Sequence, residues 1–403
     1  MASEERNLFE PAPNTLLKDG GVFTCITSCA YSTVEFEIRQ RYLQISSPGN
    51  GFRHSMKSLL LEEYGRFAIT DLPRPEPGEH EVLVRVAACG ICGSDVHGYD
   101  GASGRRIPPL VMGHEAAGVI VATGSDVSAY KPGDRVTFDS TVYCGKCVYC
   151  LRGEVNLCDC REVIGVSCGE YRRHGAFAEY IAVPERILYR LPSSMSFPEA
   201  AMLEATSVAI HAVKVSGVKK GDTTLVVGAG MIGILTMQAL RAAGVARVMI
   251  ADIDETRLTL GELLGADEAL RGTGEEIAKA VLKRTGGVGA DAVFDAVGRA
   301  KTVAESIDSV RKGGTVTLIG NIDPTVPLPL QKVVSRQIRI QGTAASAGEY
   351  PQAIELISSG RIQVRPLITA VAPLEEGPSW FARLHAQEPN LMKVVLTPIE
   401  EAS

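Results

Sequence analysis

Hydrophobic and polar positions change rhythm twice along this chain. Residues 1–55 show no clear period and contain loop-rich pieces such as SSPGNG. From Met56, KSLLLEEYGRFAITDL and then PRPEPGEH lead into EVLVRVAA, whose alternation predicts a strand with one buried face. From 82 to about 190 short apolar runs are separated by Gly/Pro turns, as in VMGHEAAGVIVATGSDVSAYKPGDRVTF, which predicts a small β-rich domain. At about 206 the rhythm becomes strand, helix, strand, helix. That alternation predicts a parallel sheet with crossover helices. Beyond 343 one helical pattern, YPQAIELISSG, precedes short strand-like pieces that could return to the first domain. No internal repeat or low-complexity tract interrupts this plan.

Composition narrows the possible roles. At 403 residues the chain is long enough for two domains with cores. Apolar residues at 45% and charged residues at 22% are ordinary for a globular protein, and a formal charge of −6 carries no footprint for nucleic acid. No apolar run reaches the ~18 residues of a membrane span. The start MASEERNLFE is acidic and polar, unlike a secretory signal, so a reducing cytoplasmic compartment is expected. Residues 1–55 are expected to be a private extension or the product of a start codon placed too early. Cys25 and Cys29 there have no matching His or Cys pair and are read as bystanders.

A reducing compartment gives meaning to residues 143–160, YCGKCVYCLRGEVNLCDC, which hold five of the ten cysteines. Structural disulfides are disfavoured there, and a thioredoxin-like reading of Cys144 and Cys147 lacks the βαβ context it needs. Cys144, Cys147, Cys150 and Cys158, spaced Cx₂Cx₂Cx₇C, can close a tetrahedron around zinc within one lobe, about 140–160. Cys160 is the alternative to Cys158. A closed site of four thiolates leaves no position for substrate, so chemistry is expected elsewhere.

The clearest phosphate signal is TTLVVGAGMIGILTMQAL. An apolar strand runs into Gly228, Gly230, Met231, Ile232 and Gly233, and a helical pattern follows. Gly228 permits the tight turn, Gly230 the approach of a pyrophosphate, and Gly233 the packing of helix on strand. The next strand, VARVMIAD, ends in Asp252, placed to bind ribose hydroxyls. A carboxylate there repels a 2′-phosphate, so NAD is expected over NADP, although Arg257 nearby could accommodate that phosphate.

Three further residues offer a second metal site. Cys92 lies in CGICGSDVHGYDG, and His114 and Glu115 lie in MGHEAAG. Each alone reads as packing, but together they supply thiolate, imidazole and carboxylate within the β-rich domain, a set that suits zinc with an open position. Glu204, in AAMLEATSVAIHAV, is flanked by apolar residues and is expected to point inward where one domain hands over to the other.

The order of these motifs resembles the zinc-dependent medium-chain dehydrogenase/reductase superfamily, specifically its polyol (sorbitol-type) and threonine dehydrogenase branch. The resemblance runs from about Met56 to Pro398. It implies an α/β architecture: a GroES-like catalytic domain (56–205 with a return segment 343–403) around a Rossmann domain (206–342), with the active site in the cleft. It implies that Cys92 and His114 hold a catalytic zinc, that Glu115 is a direct or intermittent ligand, and that Glu204 holds zinc directly or through water. Ser94 and His97 match a proton relay, and the four-cysteine loop matches a structural zinc lobe. The implied protein is a homodimer or homotetramer with one catalytic and one structural zinc per subunit. The implied reaction is oxidation of a small secondary alcohol (a polyol, polyol phosphate or amino alcohol) to a carbonyl, with hydride passed to NAD.

Two departures weaken sorbitol itself as substrate. Glu204 is followed by Ala205 where the family usually has proline, and Ala344, Ala345 and Ser346 stand where the polyol branch tends to carry an arginine that reaches substrate hydroxyls. Threonine and simple secondary alcohols or butanediol stay open as substrates. A metal-free quinone reductase would lack both zinc patterns, and a non-catalytic NAD-binding protein would not be expected to keep the whole set.

Overall fold

In EVLVRVAACG only Arg85 is exposed, because this strand lies in the middle of a sheet. The computed structural model describes residues 55–398, and the leading segment 1–55, Cys25 and Cys29 included, lies outside them apart from Ser55. Strand Glu81–Gly90 pairs antiparallel with Glu115–Thr123 along one edge and with Tyr180–Pro184 and Lys393–Thr397 along the other. The sheet extends through Arg135–Phe138 to Leu188–Arg190 on one side and to Ile368–Pro373 on the other, seven strands in all. The strand-like pieces after 343 therefore do return to the β-rich unit, where Val395 lies opposite Gly90. A smaller sheet of Ser55–Glu63, Arg66–Pro73 and Leu110–Val111 closes one side.

The second sheet has six strands, parallel throughout, in the order Glu268–Arg271, Arg247–Asp252, Thr223–Val227, Ala290–Asp295, Val310–Leu318, Arg339–Gly342. Helices cover both faces, and the alternation along one strand shows why. Leu225 and Val227 join one apolar cluster with Met249, Val293 and Val316, while Val226 joins another with Ile234 and Ile250. The chain winds outward in both directions from Thr223–Val227. A crevice therefore opens at the carboxyl end of this strand, beside Ala290–Asp295.

The second cluster also takes in Ala88, Ala117 and Val395 of the seven-stranded sheet and Ala205 and Ile210 of helix Leu203–Ser216. That helix spans the 205/206 handover expected from the sequence, so the change of rhythm falls inside an element rather than in a loop. Its apolar residues fasten one sheet to the other. Among the described residues no helix is long and apolar enough to cross a membrane.

Candidate active site

Antiparallel register builds the first cluster. Gly90 lies opposite Glu115, so the residues just beyond the end of Glu81–Gly90 meet the start of Glu115–Thr123. Any side chain at Gly90 would collide with the Glu115 carboxylate, which lies across it. Cys92 caps helix Gly93–Tyr99, its Sγ accepting from the Ser94 amide at 3.5 Å. The ligand atoms of Cys92, His114 and Glu115 all lie within 4.8 Å of one another.

The surroundings of this trio are charged and buried. Lys393, with 1% of its side chain exposed, donates to Glu115 Oε2 and to the Ile91 carbonyl at 3.0 Å. Burial alone would lower the lysine's pKa, but the Glu115 carboxylate raises it above the ordinary value. Asp95 Oδ1 lies 3.4 Å from His114 Nδ1, close enough to steer the ring, although no aligned hydrogen bond forms. The same oxygen accepts from Arg106 Nε and Nη2 at 3.2 and 3.1 Å, and Arg106 Nη2 also reaches Ser94 Oγ at 3.3 Å. With Nδ1 turned to Asp95, Nε2 is the nitrogen left for a metal. Burial disfavours a charged His114, yet Asp95 and Cys92 raise its pKa well above the ordinary value. Glu115 Oε1 is buried without a partner. An orphaned carboxylate oxygen, a thiol and an imidazole in a pocket that draws positive charge fit a zinc ion.

Glu204 does not join this trio. Its Oε1 accepts from Ser140 Oγ at 3.3 Å. Burial pushes its pKa up to about 7, and the Glu115 and Asp139 carboxylates push the same way against His114. Ser94 and His97 are exposed on the same short helix, one turn apart.

The four-cysteine lobe is assembled as its spacing requires. Sγ atoms of Cys144, Cys147, Cys150 and Cys158 lie within 4.8 Å of one another, whereas exposed Cys160 stands outside the group. Cys147 and Cys150 are 3.5 Å apart and Cys144 and Cys150 4.0 Å, far beyond a disulfide bond and close to the ~3.8 Å edge of a zinc–thiolate tetrahedron. Backbone amides of Lys146 and Cys147 hold the Cys144 thiol down to about 6, while burial and the neighbouring thiols push Cys150 up to about 12. Four such groups cannot ionise together without a cation between them, so this set also fits zinc.

At the crevice of the parallel sheet, strand Thr223–Val227 turns at Gly228 into helix Met231–Ala242. Gly228 sits at φ +97°, and a side chain on Gly233 would strike the Gly228 carbonyl, so helix and turn approach as only glycine permits. Met231 and Ile232 are half-buried in the first helical turn. Asp252 closes the next strand and accepts from the Ala229 amide at 2.6 Å and the Ile253 and Asp254 amides at 2.7 and 3.0 Å. It thus braces the glycine turn as well as facing the crevice edge. Arg257 is drawn to Asp254, 3.7 Å away.

The sequence reading passed over Lys393, Asp95, Arg106 and Asp139. Asp139 is buried, takes a hydrogen bond from Ser346 Oγ at 3.3 Å and from the Thr141 amide at 2.8 Å, and has its pKa raised to about 6 by burial. A lysine opening the apolar strand KVVLT was a legible signal, and Asp95 sat inside the CGSDVH motif.

Comparison with known proteins bears on the family and fold. The family profile "Alcohol dehydrogenase GroES-like domain" matches residues 78–193, and "Zinc-binding dehydrogenase" matches residues 232–359. A sorbitol dehydrogenase of Halalkalibacterium halodurans is 32% identical over 86% of this chain and 100% of its own. A candidate zinc-binding dehydrogenase of Sinorhizobium meliloti 1021, solved with NADP, superposes with a TM-score of 0.77 at 32% identity, covering 86% of this chain and 100% of that one. An alcohol dehydrogenase of Escherichia coli CFT073, solved with NADH, superposes with a TM-score of 0.79 at 29% identity, covering 85% and 99%.

Proposed function

We infer the reaction from a premise: this chain belongs to the zinc-dependent medium-chain dehydrogenase/reductase superfamily, and within it to the polyol, sorbitol-type branch. The reading is oxidation of a secondary alcohol bearing further polar groups (a polyol, a polyol phosphate or an amino alcohol) to a carbonyl, with hydride passed to NAD. The observation that carries it is the convergence of Cys92, His114 and Glu115 beside the exposed Ser94 hydroxyl. These three would hold a catalytic zinc, and Cys144, Cys147, Cys150 and Cys158 a structural one.

When bound, zinc would polarise the alcohol oxygen and the nicotinamide would take the hydride. The chain's own groups do the rest. Asp95 orients His114, and Lys393 fixes Glu115. The Ser94 hydroxyl is held by Arg106 as an acceptor, which leaves one lone pair for the alcohol proton and its own hydrogen to pass on. His97, one turn along and exposed, would carry that proton to solvent. Glu204 would hold the metal directly or through water, with Ser140 Oγ donating to its Oε1. Gly228 to Gly233 receive the pyrophosphate, and Asp252 reads the ribose.

Asp252 favours NAD over NADP because its carboxylate would oppose a 2′-phosphate, while exposed Arg257, 3.7 Å from Asp254, is the side chain that would accommodate one. We assign residues 56–205 and 343–403 to the catalytic domain and 206–342 to the nucleotide domain, in a cytoplasmic homo-oligomer. The test is NADH formation over sugar alcohols, their phosphates, threonine, 2,3-butanediol and simple secondary alcohols, with and without chelator. Chelator-sensitive turnover of one class supports the reading. Silence from zinc-replete, NAD-binding protein across the whole panel overturns it.

A further inference from the structure

The segment 343–349 occupies the place where the polyol branch carries its substrate-reaching arginine, and here it has no long side chain of that kind. It is nonetheless held tightly. Ala345 sits at φ +51°, a left-handed conformation that a residue with a side chain keeps only when its surroundings impose it. Ser346 is buried and bonded to Asp139, whose neighbour Ser140 bonds Glu204, so the segment adjoins the metal-site residues. Glu349 accepts from the Ala347 amide and from Lys214 Nζ at 3.0 Å, and lies 3.1 Å from His211 Nδ1.

One support comes from the four-cysteine lobe. Asn156, 4% exposed, lies between Cys150 and Cys158, and its backbone carbonyl accepts from Arg161. Its Nδ2 donates to the Ala344 carbonyl at 2.8 Å and lies 3.3 Å from His211 Nε2. The polarity of this chain is consistent along its length. His211 Nδ1–H donates to Glu349, which leaves Nε2 as an acceptor, and the two amide hydrogens of Asn156 fill that acceptor and Ala344. Turning the amide over would face oxygen against oxygen at Ala344. His211 stands two turns from Glu204 on one helix, so Asn156 touches both the segment and the helix that carries the site carboxylate.

We propose that Asn156 is a positioning residue through which the four-cysteine lobe holds segment 343–349 in the shape of the alcohol pocket. The lobe then has a second task beyond its own folding: its geometry reaches the substrate through one buried amide. That this segment lines an alcohol pocket rests on the function proposed above, whereas the hold on the segment does not.

The test uses the full-length, zinc-replete protein and its Asn156→Leu variant, which keeps the bulk and removes both donors. Amide hydrogen exchange across 343–349 should speed up about tenfold, the loss of local protection expected when a buried hydrogen-bond pair is removed. Peptides spanning 223–252 and the zinc content should not change. In active enzyme KM for the alcohol should rise about tenfold with kcat within about threefold, the pattern of lost uniform binding. Cys150→Ser, which disturbs the lobe, should free the same segment. Unchanged exchange in Asn156→Leu overturns the hold, and retained protection in Cys150→Ser overturns the link to the lobe. Faster exchange with an unchanged KM overturns the segment's part in substrate binding. If wild-type protein oxidises no alcohol, the proposed function fails while exchange still decides the hold. Should the leucine variant not fold, Asn156→Ser, too short to reach Ala344, gives the same readings.

Discussion

Lys393 and Glu115 form an ion pair in which the side chains are 1% and 0% exposed, joining the last strand of the seven-stranded sheet to the edge of the candidate zinc site. Removing one partner of such a pair leaves a buried charge uncompensated. Lys393→Met is therefore expected to lower stability by about 3–5 kcal/mol in chemical denaturation. The double variant Lys393→Met/Glu115→Gln should recover a large part of that loss. A single variant within about 1 kcal/mol of wild type would show that the pair is relieved some other way.

The two candidate metal sites are predicted to empty independently. Cys92→Ser should remove one zinc per chain and abolish turnover while NAD binding persists. Cys150→Ser should remove the other zinc. Metal analysis of the two variants and their combination decides this, and a full zinc complement in Cys92→Ser would sink the catalytic assignment.

Asp252→Ser should weaken NAD about tenfold or more, since it removes both the ribose acceptor and the brace on the Ala229 amide. Relief of repulsion toward a 2′-phosphate should offset part of that loss for NADP, so the preference narrows. Fluorescence titration with NADH and NADPH measures the ratio, and an unchanged ratio would show that the ribose lies elsewhere.

Asp139 carries a pH signature. Its folded pKa, about 6, is above the ordinary 3.8, so folding favours the protonated form. The cost of holding the carboxylate is absent below about pH 4, grows as pH rises, and is complete above about 6. Asp139→Asn keeps an acceptor for the Thr141 amide and removes this cost. It should therefore gain stability relative to wild type, on the order of 2 kcal/mol, between pH 4 and pH 8. Urea unfolding of both proteins at several pH values checks the slope. A difference that stays flat would mean that Asp139 titrates at the same pH folded and unfolded.

How much of this was legible depends on the range of the interaction. The Cx₂Cx₂Cx₇C spacing keeps all four ligands on one short loop, and the glycine turn is a local backbone requirement. Both could be read from neighbours in the chain. The trio Cys92, His114 and Glu115 was legible as chemistry, but its assembly depends on the register that sets Gly90 opposite Glu115. Glu204 marks the limit. Its apolar flanks argued for an inward-facing carboxylate, and it is half-buried with a hydrogen bond from Ser140, yet they could not give its distance from the trio.

By itself the sequence determined the change from period two to alternating strands and helices, the cysteine lobe and the nucleotide turn. Each of these follows from side-chain periodicity or from backbone geometry within a few residues. Only the tertiary structure decided that Lys393 neutralises Glu115, that Arg106 and Asp95 stand behind Ser94 and His114, and that Asn156 reaches Ala344. Those partners are buried, and a buried polar group is driven to whichever complementary group the packing brings within reach. Separation along the chain then carries little information about which group that is.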